Sequence, residues 1–165
     1  GDNLNIFILH LFPQKAAKMA CDRHSIKMVL ESGQLLCSGV LLNGGTAPYK
    51  LCHEHHPSTK WVAQSKENWD WLKEYALALC EEYTHRYGRT HKTQSVIESL
   101  NGDCIPSQGL TEFPQAMPDE YKNEDVVVAY RNYYRYGKTY MNKGLGPQWL
   151  KDPSRKPSWF DMNPV

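Results

Sequence analysis

Apolar and polar positions along the chain predict helices separated by long irregular stretches. Residues Asn5 to His10 form a short apolar run that fits a buried strand or extended lead-in, closed by Pro13 at a helix start. From Gln14 to about Leu42, the residues Ala16, Ala20, Ile26, Val29, Leu30, Leu36, Val40 and Leu41 recur at helical spacing. Asn43-Gly44-Gly45 ends that run, and Gly33 within it marks a weak point or a close contact. A loop from Asn43 to Pro57 follows, after which Ser58 can cap a second helix reaching Tyr87 before Gly88. Trp61, Trp69, Leu72, Ala76, Leu79, Cys80 and Tyr83 give that helix a broad apolar face. A shorter helix is expected from Thr93 to Leu100, then a Gly/Pro-rich loop from Asn101 to Pro118 with no regular pattern. Irregular segments of that length inside a small domain are usually functional. Glu124 or Asp125 caps a last helix to about Met141.

The pattern therefore predicts a mostly α protein: one domain over residues 1–165, with three to four main helices. Residues 1–12 would be an extended lead-in and residues 142–165 an irregular tail packing back. At 165 residues the chain is long enough to bury about 70% of its unfolded surface without a disulfide staple. Five cysteines with no CxxC suit reduced thiols in a protein expected to be intracellular, and no run of 18 apolar residues suggests a membrane span. A soluble, cytoplasmic monomer is the resulting expectation.

A formal net charge of +1 does not announce a nucleic-acid binder, but the distribution does more. From Val126 to Lys156 the cations Arg131, Arg135, Lys138, Lys143, Lys151, Arg155 and Lys156 face one anion, Asp152, and Tyr130, Tyr133, Tyr134 and Tyr136 interleave with them. Cations among aromatics can neutralise phosphates and stack on bases, or else form a solvated helix with its tyrosines half buried. The segment Glu81 to Lys92 offers the same choice. Arg86, Arg89 and Lys92 can clamp a phosphate backbone with His91 reaching inward, or simply answer the dipole at a helix end.

The candidate chemistry centres on the first long helix. At about 100° per residue, His24, Lys27 and Glu31 fall within a third of its circumference, Arg23 sits beside Lys27, and Ala17 and Ala20 extend the stripe toward the helix start. A base, an amine and a carboxylate thus converge, either as a site or as a satisfied polar network between helices. Zinc held by Cys21, His24, Cys52 and His56 is a further arrangement, since a CxxH pair on a helix and a His-rich loop can supply four ligands.

Several of these residues carry a resemblance. The extended start, the helix with Met19-Ala20-x-x-Arg23-x-x-x-Lys27, the second helix with its acidic-to-aromatic end, Phe113-Pro114-Gln115 and the terminal Lys156-Pro157-Ser158-Trp159-Phe160 resemble the phage pyrimidine-dimer DNA glycosylase/AP lyase family, collinearly over nearly the whole chain. The chain also resembles tailed-phage proteins that carry the Cys-Asp-[Arg/Lys]-His helix, the Glu-Glu-Tyr-Thr-x-Arg-Tyr-Gly segment and the Ala129 to Tyr134 helix, from which no activity transfers.

The glycosylase resemblance implies an N-terminal α-amine that attacks the sugar C1′ to form a Schiff base, a first-helix glutamate that assists, and arginines that grip the phosphates of kinked DNA. An α-amine has a pKa near 8 against about 10.4 for lysine, so more of it is unprotonated at neutral pH. Arg23 and Lys27 match two grip positions, and His24 stands where the family's glutamate is expected, with Glu31 two turns on as the carboxylate.

The reading implied is an enzyme acting on a base or sugar of duplex DNA with the base flipped out, needing no cofactor. His24, Lys27 and Glu31 would be catalytic. Arg23, Arg86, Arg89, His91, Lys92, Arg131, Tyr134 and Lys138 would hold the nucleic acid. The alternative is a non-catalytic accessory protein that binds nucleic acid or a partner.

Overall fold

A computed structural model describes residues 4–162. The helices are α1 (Pro13–Met19), α2 (Asp22–Leu42), α3 (Pro57–Gln64), α4 (Lys66–Tyr87), α5 (Gln94–Ser99), α6 (Val126–Asn132) and the single turn α7 (Met141–Gly144), and α6 continues into a π-helical turn, Tyr133–Gly137. Among the described residues there is no strand, so the fold is mostly α, as the apolar periodicity indicates. The lead-in is extended without pairing: Leu4 to Leu9 are buried, and Asn5 holds the segment by donating to Ala116 O and accepting from the Tyr130 hydroxyl.

The predicted first helix is two helices. Ala20 and Cys21 take extended backbone angles, and three distant groups hold the break open: the Tyr134 hydroxyl accepts from Cys21 N, Gln148 O accepts from Asp22 N, and Arg86 donates to Ala20 O. Ala17 and Ala20 therefore leave the α2 stripe and pack in the core. The second helix is also divided, at Ser65, whose side chain caps α4. The cap of α3 is His56, with Pro57 in the first turn, rather than Ser58. Gly88 ends α4 in the left-handed region, at φ 71°, where a glycine C-cap carries no Cβ penalty.

α2 is the central helix, packed on α4, α3 and α5. By length and composition alone it could cross a membrane, yet 67% of its apolar window is buried inside the protein, as in a core helix. Gly33 is a close contact: a Cβ there would lie 2.7 Å from Cγ2 of Thr93, ahead of α5. The tail packs back on the α1–α2 junction, where Trp149 Nε1 donates to Met19 O and Asp22 Oδ2 accepts from Leu150 N and Lys151 N.

The loop from residue 101 to 118 has no regular structure but is tied down along its length: Asn68 bonds Thr111 twice, Tyr130 bonds Pro114 O and Ala116 N, and the start of α4 holds residues 107 to 109. Glu67, in the first turn of α4, accepts from Ser107 Oγ, Gln108 N and Gly109 N. These donors, the Ser107 hydroxyl foremost, hold the exposed Glu67 carboxyl at about 2. A lowered carboxyl contributes above its unfolded value and loses that contribution as pH falls through the folded one. The Gln108 and Gly109 amide resonances should therefore keep their folded shifts well below pH 4 and move only as pH approaches about 2. Glu67→Gln should remove that titration.

Candidate active site

α2 divides the predicted catalytic residues between its buried and open sides. His24 and Glu31 point inward, the former fully buried and the latter 8% exposed, while Arg23 lies in solvent and Lys27 is half buried at the edge. Lys27 Nζ lies 3.7 Å from Glu31 Oε2, an i,i+4 pair that joins a buried carboxylate to the surface. Lys27 and Glu31 meet, whereas His24 faces Phe7 and Tyr134 in the interior.

His24 is held on two sides. Its ring stacks on Phe7 at 4.2 Å between centroids, and its Nδ1 shares a 2.7 Å hydrogen bond with the Tyr134 hydroxyl. Tyr134 also accepts from Cys21 N and donates toward Cys21 Sγ. Burial pushes the Tyr134 phenol well above its ordinary value and raises the Cys21 thiol, so both keep their protons at neutral pH. Tyr75 of α4 completes this interior. Its hydroxyl is buried without a hydrogen-bond partner, and burial first, then the charges of Cys21, Glu31 and Tyr130, hold its phenol far up.

Beside this interior is a cavity of about 580 Å³ lined by Asn5, His56, Gln115, Lys122, Tyr133 and Tyr140, among others. Lys138 connects the two. Its ammonium lies 4.6 Å from the Tyr133 ring centroid, 5.5 Å from Phe7 and 5.6 Å from Tyr140, and it donates to the Tyr140 hydroxyl at 3.2 Å. Aromatic faces on three sides are a favourable setting for a cation. The same Phe7 thus touches His24 and Lys138, and the same Tyr133 touches Lys138 and the cavity.

The basic residues separate into exposed and internal groups. Arg23, Arg89 and Lys92 are exposed, and Arg89 and Lys92 line a depression of about 370 Å³ with Tyr83, Thr90 and His91. Arg86 corrects the expected phosphate clamp: its side chain is 0% exposed and donates to Glu82, Asp22, Ala20 O and Lys18 O. His91 is bound inward through both ring nitrogens. Its Nδ1 accepts from Thr93 N, which leaves Nε2 to donate to Ile26 O, and burial lowers its pKa, so a neutral ring locks this loop onto α2. Tyr134 and Lys138 are buried and cannot lie along a phosphate backbone, and Arg131 is half buried with Nε donating to Leu9 O.

The zinc arrangement does not assemble. Among the described residues no three His, Cys, Asp or Glu side chains come together to hold a metal ion. Cys21 and His24 are bridged by Tyr134, whereas Cys52 meets Ser38 and His56 caps α3. The α-amine of Gly1, on which the Schiff-base expectation rests, lies outside the described residues.

The sequence singles out Tyr133 among the cations but not Phe7, Tyr75 or Tyr140, and the one usable signal was the density of tyrosine around Lys138. In comparisons with known proteins, the family model described as pyrimidine dimer DNA glycosylase matches residues 4–95, which span Phe7, α1 to α4 and the Arg89–Lys92 loop. No curated protein and no solved structure matches the chain. Tyr133, Tyr134, Lys138 and Tyr140 lie beyond the matched segment.

Proposed function

Because the chain belongs to the pyrimidine dimer DNA glycosylase family, we propose that it acts on a base, or on the deoxyribose that carries it, in duplex DNA. The observation that carries this reading is the pairing on α2 of a solvent-edge amine, Lys27, with a buried carboxylate, Glu31, 3.7 Å away. A phosphate grip can approach from the exposed side through Arg23, Arg89 and Lys92, and a base turned out of the stack has the 580 Å³ cavity with Tyr133 and Tyr140 to enter.

In this reading an amine adds to C1′, the bond from C1′ to the base breaks, and the departing base takes up a proton. The added nitrogen then loses its two protons, one of which goes to O4′ as the C1′–O4′ bond opens, leaving an imine and a ring-opened sugar hydroxyl. Glu31 supplies the negative charge that an oxocarbenium-like sugar requires, and His24, oriented by Phe7 and Tyr134, is the acid–base group. The nucleophile is Lys27 or the α-amine of Gly1. A binding-only protein is the competing reading, favoured by the complete burial of His24.

Borohydride trapping separates them. The protein should form a covalent adduct with an abasic-site duplex, and Lys27→Ala should abolish it if Lys27 is the nucleophile. Blocking the N-terminus should abolish it if the α-amine is. Salt-dependent duplex binding with no adduct on either abasic or dimer-containing DNA would leave the binding-only role.

A further inference from the structure

The N-terminal end of α1 presents two large apolar side chains to solvent. Leu11 is 56% exposed and Phe12 59%, although the backbone carrying them is firmly fixed. Trp71 Nε1 donates to Leu11 O at 2.9 Å, Phe12 N donates to His10 Nδ1 at 3.0 Å, Ala16 N donates to Phe12 O at 2.9 Å, and Arg131 Nε donates to Leu9 O at 3.0 Å. Phe12 also occupies the N-cap of α1, where Ser, Thr, Asp or Asn would stabilise the helix and where no side-chain cap bond is made. A rigid apolar tip has replaced a stabilising cap.

The surroundings of the tip identify its partner. Lys15 Nζ lies 5.3 Å from the Phe12 ring centroid, and no residue from Leu9 to Lys18 is acidic. From Lys15 the surface continues into a groove of about 290 Å³ lined by Lys15, Lys18, Ser154, Arg155 and Lys156. Arg155 is paired with Glu82 and Lys156 with Asp161, so Lys15 and Lys18 are the lining cations not matched to a carboxylate among the described residues. An apolar tip bordered by a cationic track is complementary to a base stack bordered by phosphates.

We propose that Leu11 and Phe12 form a wedge that enters the base stack of duplex DNA and fills the space left by the nucleotide turned toward the active site, while Lys15 and Lys18 contact the adjoining phosphates. The proposal rests on the DNA-acting reading above and adds the element that opens the duplex. Leu11 is four positions after Phe7, which touches His24, so the backbones of the two residues lie within roughly 14 Å of each other. That is about four base steps, at 3.4 Å each along a strand. Intercalating Leu and Phe side chains unstack a step and kink the helix, which exposes the neighbouring nucleotide.

The test uses duplexes with one 2-aminopurine, whose fluorescence rises when it leaves the stack, and the double variant Leu11→Ala/Phe12→Ala. Both side chains are solvent-exposed and every anchoring bond at the tip is made to backbone atoms of Leu9, Leu11 or Phe12, so the variant keeps the fold. The wild type should raise the fluorescence several-fold on binding. The double variant should lose most of that rise and bind a fully paired duplex about tenfold or more weakly, while keeping its affinity for a duplex with a central unpaired base. An unchanged fluorescence rise in the double variant, or salt-dependent duplex binding by wild type without any rise, would overturn the wedge and leave the DNA reading standing. No duplex binding by wild type would overturn both. Co-sedimentation of wild type but not the double variant with phosphatidylserine vesicles, without duplex binding, would assign the tip to a lipid surface instead.

Discussion

Arg86→Ala should lower the melting temperature more than any other single charge removal in the protein. The guanidinium is fully buried, with Nε 3.1 Å from Glu82 Oε1, Nη1 2.7 Å from Ala20 O and 3.3 Å from Asp22 Oδ1, and Nη2 3.1 Å from Lys18 O. Truncation would leave two carbonyls at the end of α1 without their donor and Glu82, only 4% exposed, with Arg155 alone. Removing one member of a buried ionic network costs about 3–5 kcal/mol, since the remaining charge stays desolvated. For a chain of this size that corresponds to a drop of roughly 6–20 °C. Thermal unfolding followed by circular dichroism measures it, with the exposed Lys60→Ala as the reference. Arg86→Lys should recover only part of the loss, because one ammonium cannot span the fork from α4 to both the α1 carbonyls and Asp22. A shift no larger than that of Lys60→Ala would mean that the break between α1 and α2 is held by Tyr134 and Gln148 alone.

That network also explains which features were readable from sequence. The stripe His24, Lys27, Glu31 depends only on helical periodicity within α2, and it appears where the spacing places it. The start of α2 was not readable. The chain turns at Ala20 and Cys21 because Arg86, Tyr134 and Gln148, between 66 and 126 residues away, bond to that turn. Locally, alanine is the best helix former and cysteine an ordinary one, so nothing at these positions signals a break. Arg86 itself has the sequence context of any cation at a helix C-terminus, and its burial is decided by Glu82 and Asp22 meeting in space. Lys138 is the same case: the enclosing rings come from positions 7, 133 and 140, so a residue that reads as part of a basic surface is an internal cation beside the cavity. Periodicity could place the candidate carboxylate and amine, whereas the aromatic wall behind them is a product of tertiary packing.

The sharpest consequence for function concerns Glu31. Glu31→Gln keeps the shape and removes the charge, so it should lower base-release or strand-cleavage turnover by about 10²–10³-fold, the usual result of deleting one preorganised electrostatic contact at a site of developing charge. Duplex affinity should be retained, because Arg23, Arg89 and Lys92 lie on the exposed side and Lys27 keeps its own charge. Stability gives the opposing reading. The carboxylate side chain is 11% exposed and its partner ammonium 35% exposed, and neutralising a mostly buried charge whose partner can turn to solvent leaves the fold unchanged or slightly more stable. A catalytic Glu31 therefore predicts lost single-turnover rate with an unchanged or raised melting temperature. A purely structural Glu31 predicts the reverse, a lowered melting temperature with turnover intact. Measuring both on one preparation decides between them, and Arg23→Ala supplies the contrast: weaker duplex binding with a salt slope reduced by about one, at a turnover per bound complex close to that of the wild type.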